Sequence, residues 1–468
     1  MNTYPLLIDG KLIEIDARLD VVNPATGAAF TTCAVADADL MDRAITAAKA
    51  AFPAWSSKSW EDRGAPLAVL ADRLDVARED FAQLLTQEQG KPIADARGEV
   101  GLVVDFLHYY STARIAPKTV TDTAERHVSV HRKPLGVIAA ICPWNFPLLI
   151  AAYKLAPAVV TGNTCVVKPA ATTPLTTLWL GKLAADLFPA GVVNVVTDRN
   201  DLGAQLSSHP DVAKVTFTGS TATGKRVMQA ASNTLKRITL ELGGNDAAIL
   251  LDDETTDDVA QSVFDAAFNL SGQVCTAIKK VYAPRNDYDA LCDKLAAIAT
   301  SVKIGNGQDE DTKIGPIQNP MQIEKVQGFL DIAKRDGKII AGGEVLASQG
   351  YFIQPTIVRD IDENSDLVKE EQFGPVLPVL PYDTLDDVIQ TVNDSEYGLG
   401  NSVWSADVER AAEVGLKLNS GSVWINRHGY IDPATPFAGA KQSGIGIEMG
   451  DEGLKEFTQM QLLVIEKT

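Results

Sequence analysis

The chain has 468 residues, 46% of them apolar, and its 42 lysines and arginines are outnumbered by 61 aspartates and glutamates, giving a formal net charge of −19. So acidic a surface repels phosphate backbones and argues against nucleic acid as a partner. The start Met-Asn-Thr-Tyr-Pro has no basic stretch leading into an apolar one, and the apolar runs stop short of the roughly 20 residues a membrane span needs, so a soluble chain without a signal peptide is expected.

A chain of this length buries large cores and divides into two or three domains. Helical spacing predicts helices over 37–51 and 60–86, packed beside a first sheet. From 116 to 133, Thr, Val, His and Arg alternate as in an exposed hairpin. Short β-branched runs at 137–141, 165–167, 192–196, 214–217 and 247–251 then alternate with helical runs at 174–188, 202–207 and 224–232. Strand, crossover, strand repeated in this way predicts the α/β class, a doubly wound parallel sheet of Rossmann-like type with helices on both faces. A second alternation from 257 to 424 predicts a second α/β domain. No Pro/Gly-rich linker separates the halves, so tight docking is expected.

Two local patterns carry chemistry. Gly219-Ser220-Thr-Ala-Thr-Gly224 follows the run 214–217 and opens a helix, where free backbone N–H groups and the helix dipole favour phosphate. An ordinary glycine turn with a Ser/Thr cap is the bland alternative. The second pattern is Phe268-Asn-Leu-Ser-Gly-Gln-Val-Cys275-Thr276-Ala277, between a helical run at 257–270 and a strand-like run at 280–283. A structural cysteine sits inside an apolar run with its thiol protonated. Here Ser271 and Gly272 break that pattern and place the thiol at an approachable bend. The other cysteines, Cys33, Cys142, Cys165 and Cys292, lie far apart with no CxxC pair. That suits neither a disulfide framework nor a metal site, and it fits a reducing cytoplasm.

A lone loop cysteine is more often inert than reactive, but this one keeps distinctive company. Along the chain stand Cys142-Pro-Trp144-Asn145-Phe146-Pro147, Lys168-Pro169, Thr216-Phe-Thr-Gly-Ser-Thr-Ala-Thr-Gly224, Leu240-Glu241-Leu-Gly-Gly244, Glu370-Glu371-Gln-Phe373-Gly-Pro375 and Pro436-Phe-Ala-Gly-Ala-Lys-Gln-Ser-Gly444. In this order the set closely resembles the aldehyde dehydrogenase superfamily. The resemblance runs from Asn23-Pro-Ala-Thr-Gly27 to Glu456-Phe-Thr-Gln459, with Glu88-Gln-Gly-Lys-Pro92 and Gly98-Glu-Val100 also fitting.

The resemblance implies a dinucleotide-binding domain at 1–115 and 135–243, a catalytic domain at 244–442, and an arm at 116–134 with 455–468 that joins subunits into a homodimer or homotetramer. It implies that Cys275 is the nucleophile, that the Asn145 amide with the Cys275 N–H stabilises an oxyanion, and that Glu241 activates water. NAD or NADP would be held by Lys168, Trp144, Gly219, Ser220, Glu371 and Phe373. Many relatives carry a glutamate three residues after the lysine, where it repels a 2′-phosphate. This chain has Ala171, so either cofactor is expected. Glu241 also sets aside the relatives that pass the acyl group to coenzyme A, which lack that glutamate. The small-molecule aldehyde would enter past Phe146, Tyr153, Thr276, Arg427 and Ile431. Arg427 could grip a carboxylate, as in a succinate-semialdehyde type of substrate, or pair with a neighbouring subunit. The contrasting class, a catalytically silent structural homologue, is disfavoured by the intact Cys275, Glu241 and Asn145.

Overall fold

The computed structural model describes residues 3–252, 255–346 and 349–467. Its first sheet has eight strands, in the order Lys11–Ile13, Leu6–Ile8, Val193–Val195, Thr164–Lys168, Val137–Ile141, Val212–Thr218, Arg237–Glu241 and Gly444–Ile445. The central five run parallel, and the N-terminal hairpin and Gly444–Ile445 close the edges antiparallel. Strands Val137–Ile141 and Thr164–Lys168 are buried along their whole length. That is what helices on both faces impose, and why these runs read as continuously apolar.

The second sheet has seven strands, in the order Lys338–Ala341, Thr356–Arg359, Val376–Tyr382, Ile278–Pro284, Asp246–Leu250, Gly400–Trp404 and Ser422–Ile425. Separate apolar cores cover its two faces, one around Val326, Phe329 and Val403, the other around Phe264, Leu291 and Trp404. A third sheet joins Thr458–Glu466, Arg126–Pro134 and Lys118–Asp122. Among the described residues no helix is long and apolar enough to cross a membrane.

Three sequence expectations need correction. The strand predicted at 247–251 exists as Asp246–Leu250, but it lies in the second sheet, between Ile278–Pro284 and Gly400–Trp404. Its expected place in the first sheet belongs to Arg237–Glu241, whose charged ends hid it from an apolar-run criterion. The helix expected over 60–86 is two helices, Trp60–Val76 and Arg78–Gln89, broken at Ala77 beside the exposed Val76. The helical run expected to reach 270 ends at Phe268, because Leu270 (φ 54°) and Ser271 (φ 57°) take the left-handed conformation.

Glu88 ties the second of those helices to the first domain's core. It is fully buried, and its carboxylate accepts the Leu175 N–H at 2.7 Å and the Thr176 N–H at 2.9 Å, donors at the open start of helix Leu175–Ala184. Removing a buried acceptor leaves such donors unpaired at roughly 1–3 kcal/mol each. Glu88→Ala is therefore expected to destabilise the fold by about 2–4 kcal/mol, read as a lower midpoint of urea unfolding.

Candidate active site

A cavity of about 580 Å³ opens at the carboxyl edge of the first sheet and extends to the loop that carries Cys275. Its wall includes Trp144, Asn145, Lys168, Gly219, Ser220, Cys275, Glu371 and Phe373, residues from five separate stretches of chain. Ligands bind at that edge in open α/β sheets because the strands all end there.

At one end the helix Thr221–Ser232 points its first turn at the cavity, with Ser220 as N-cap accepting the Thr223 N–H at 3.3 Å. A side chain at Gly219 would meet the Phe217 ring at 2.5 Å, and one at Gly224 would meet Leu242 at 2.5 Å. Bare backbone is thus required where the helix start approaches both ligand space and sheet. Lys168, at the end of its strand, is not a free cation. Its ammonium donates to Asp198 Oδ1 at 2.8 Å, and Asp198 in turn caps Leu202 N–H at 2.9 Å. Ala170 lines the cavity; Ala171 is buried, and its N–H donates to Asn200 Oδ1 at 3.2 Å.

At the other end the Cys275 loop is pinned from several directions. Ser271 Oγ donates to Gly315 O at 2.7 Å, and Gln273 Oε1 accepts the Gln318 N–H at 2.9 Å. The Asn145 amide donates to Gln273 O at 3.0 Å, linking the expected oxyanion donor to the backbone two residues before the thiol. Asn145 itself is held by Lys91, whose ammonium donates to its carbonyl at 3.0 Å, pairs with the buried Glu99, and lies 4.2 Å from the centre of the Phe146 ring. Cys275 keeps partial access to the cavity, while the surrounding protein mass pushes its thiol up to about 12. Glu371 Oε1 accepts the Gly244 N–H at 3.1 Å, and Phe373, left-handed at φ 53°, packs edge-on to Trp144 with centroids 5.3 Å apart.

Glu241 does not line the cavity; it ends its strand just behind Leu242 and Gly243, which do. Both its carboxylate oxygens are buried without a hydrogen-bond partner. Burial pushes this carboxyl well above the usual range; the Glu448 carboxylate pushes it further, and Lys154 opposes. Lys154 and Glu448 form a fully buried pair at 2.7 Å, with Thr216 Oγ1 donating to the same Glu448 oxygen at 2.6 Å. Sequence reading missed this pair, as it missed Lys91, Asp246 and Lys279. For Lys154 and Lys279 the available signal was a charged residue inside an otherwise apolar run; Lys91, between Gly90 and Pro92, offered none.

The expected entry residues divide. Phe146 and Ile431 pack with Cys275 against the core that contains Tyr153, and Thr276 is buried with its carbonyl accepting from His428 Nε2 at 2.5 Å. Burial lowers His428 to about 3, so the ring is neutral, and its Nδ1 accepts from Ser402 Oγ at 2.9 Å. Arg427 is exposed and turned onto its own loop, donating to Gly429 O at 3.1 Å and lying 4.8 Å from the Tyr430 ring centre.

Comparison with known proteins decides the family. Residues 13–463 match the aldehyde dehydrogenase family. The chain belongs to that family. It is 38% identical to the DhaS protein of Bacillus subtilis over 98% of this chain and 95% of that protein. It is likewise 38% identical to the FUS7 protein of Gibberella fujikuroi over 100% and 99% of the two chains. An aldehyde dehydrogenase from Bacillus cereus, solved in complex with NAD+, superposes with a TM-score of 0.97 at 34% identity, covering 100% of this chain and 97% of that one. Betaine aldehyde dehydrogenase from Staphylococcus aureus in complex with NAD+ gives 0.96 at 32% identity, covering 99% and 95%. The doubly wound α/β fold read from the sequence is therefore the family's own.

The charges around Glu241 fix a direction for pH dependence. A carboxyl held above its usual range ionises only at higher pH. Replacing Glu448 by glutamine removes the largest charge holding it there and leaves Lys154 unbalanced. Glu448→Gln should move the acid limb of the pH profile for aldehyde oxidation to lower pH, read from kcat against pH in variant and wild type.

Proposed function

We propose that this enzyme oxidises an aldehyde to the free carboxylic acid with NAD(P)+, through a thiohemiacetal and then a thioester on Cys275. The observation that carries the reading is the shared cavity wall. Cys275 and the Asn145 amide stand at one end, and the Gly219–Ser220 helix start with Lys168 at the other. That wall fits a dinucleotide: bare glycine backbone and a helix N-terminus suit the pyrophosphate, the Lys168 ammonium a ribose, and Glu371 with Phe373 the second ribose and its ring. Bound there, the cofactor supplies the hydride acceptor. The NAD+ complexes of the Bacillus cereus and Staphylococcus aureus enzymes agree with this assignment.

The chain's own residues account for the remaining steps. The Cys275 thiolate adds to the carbonyl carbon, and the Asn145 amide N–H, with the Cys275 N–H, donates to the oxygen that becomes negative. Oxidation leaves the acyl group as a thioester on sulfur. Glu241, as carboxylate, takes a proton from water so that hydroxide attacks the thioester and the acid leaves. The raised affinity of Glu241 for a proton makes it a strong enough base for this once ionised. The setting of Phe146, Tyr153 and Ile431 beside Cys275 favours an uncharged aldehyde, since Arg427 is engaged on its own loop and offers no counter-charge to a second carboxylate. Assembly is read from the arm: on the last strand Met460, Leu462 and Val464 are exposed on one face and Leu463 and Ile465 on the other, apolar surface that further copies would cover.

Two experiments test this reading. Cys275→Ala should abolish NAD(P)H formation, while Glu241→Gln should give a burst of reduced cofactor followed by slow turnover as thioester accumulates. Full steady-state activity in either variant overturns the mechanism. Ala171→Glu should raise the ratio of kcat/KM for NAD over NADP about tenfold, because a carboxylate near the adenosine ribose repels a 2′-phosphate. An unchanged ratio would place position 171 away from that ribose.

A further inference from the structure

Beneath the Cys275 loop lies a buried cation that the mechanism above does not use. Lys279 is the second residue of the strand Ile278–Pro284 and is 2% exposed. Its ammonium does not reach solvent; it donates to Val274 O at 2.6 Å and Ala277 O at 3.2 Å, the carbonyls that bracket Cys275 and Thr276, and it lies 5.9 Å from the centre of the Phe373 ring. An ammonium satisfied only by neutral carbonyls is expensive to bury unless a negative group nearby offsets its desolvation. The next residue, Lys280, is equally buried but points to the other face of the strand, where it donates to Val368 O at 3.2 Å. Two consecutive lysines thus separate into one beside the nucleophile and one away from it.

We propose that Lys279 is a positioning residue that stabilises the thiolate of Cys275 electrostatically, holding the nucleophile's loop and supplying its counter-charge together. The inference rests on Cys275 being the nucleophile. The groups that face the thiol are Lys279, Glu371, Asp246, Glu241 and Tyr153; of the charged ones, Lys279 favours the thiolate and the three carboxylates oppose it. The groups that face Lys279 are Glu371, Asp246, Cys275 and Lys325, with the neutral His428 nearby. Burial raises the Glu371 carboxyl above its usual range, and the same ammonium opposes that rise. One cation serves both the sulfur and the carboxylate assigned to the cofactor, so the two ends of the reacting centre are electrostatically coupled. The two carbonyl bonds fix where that charge sits relative to the sulfur.

The test is the rate of alkylation of Cys275 by iodoacetamide between pH 7 and 9, followed by mass mapping of the modified peptide, in the full-length enzyme without cofactor. Four variants are compared. Lys279→Met removes charge and donor; Lys279→Gln removes the charge but keeps a donor for Val274 O; Lys279→Arg keeps both; Lys280→Met removes a buried lysine of the same strand. A loss of tenfold in thiolate fraction corresponds to a shift of one pH unit. Because a more basic thiolate is also more nucleophilic, the alkylation rate should fall by about three- to fourfold. The expected result is that fall in Lys279→Met and Lys279→Gln at every pH, recovery in Lys279→Arg, and a wild-type rate in Lys280→Met. A wild-type profile in Lys279→Gln overturns the proposal, as does an equal fall in Lys280→Met. Lys279→Gln also carries the test if Lys279→Met does not fold. Because alkylation reads the thiol directly, a failure here is distinct from turnover surviving in Cys275→Ala, which would remove Cys275 as the nucleophile.

Discussion

The site depends on a four-residue crossing between the two sheets. Strand Arg237–Glu241 ends in the first sheet and Asp246–Leu250 begins in the second, so residues 242–245 must carry the chain from one to the other. A side chain at Gly243 would lie 2.5 Å from the Glu371 carboxylate, and one at Gly244 would lie 2.6 Å from the Cys275 carbonyl. Only bare backbone lets Glu371 and the Cys275 loop close on this crossing from opposite sides. Glu241 is set at its entrance and Asp246 at its exit. Three carboxylates and a thiol are thereby gathered around one short piece of chain.

Gathering them requires strain elsewhere. Leu270 and Ser271 are left-handed, as is Phe373, and each such residue costs on the order of 1–3 kcal/mol. Gly272 continues the turn at φ 74°, where a side chain would meet Gly374 O at 2.4 Å. The hydrogen bonds of Ser271, Gln273 and Asn145 hold this conformation. The strained residues adjoin Cys275 and the part of the cavity wall formed by Glu371 and Phe373, where backbone rigidity fixes the distances between these side chains.

The buried charges divide by role. Lys154 with Glu448, and Lys91 with Glu99, are buried ion pairs that fix the helices flanking the site. Glu241 has no hydrogen-bond partner among the described residues, and burial pushes its carboxyl above the usual range, towards the neutral form that is cheaper to bury. A paired carboxylate would be more stable and a weaker base.

The family resemblance pointed to Trp144, Lys168, Glu371 and Phe373, but the sequence by itself determined the fold class, the alternation of strands and helices, the glycine turn at Gly219–Ser220 and the bend at Cys275. These are written in local pattern: β-branched runs buried on both faces, a glycine turn opening a helix, a cysteine set among small residues. It did not determine which sheet owns strand Asp246–Leu250. Membership depends on pairing with Ile278–Pro284 and Gly400–Trp404, far away along the chain. Nor did it determine that Lys168 is paired with Asp198, that Arg427 folds back on its own loop, or that Lys279 lies beneath the nucleophile while Lys280 does not. A lysine in sequence carries the same charge wherever it stands. Whether that charge is screened by water or acts on a sulfur depends on what is packed around it, and only the tertiary structure sets that.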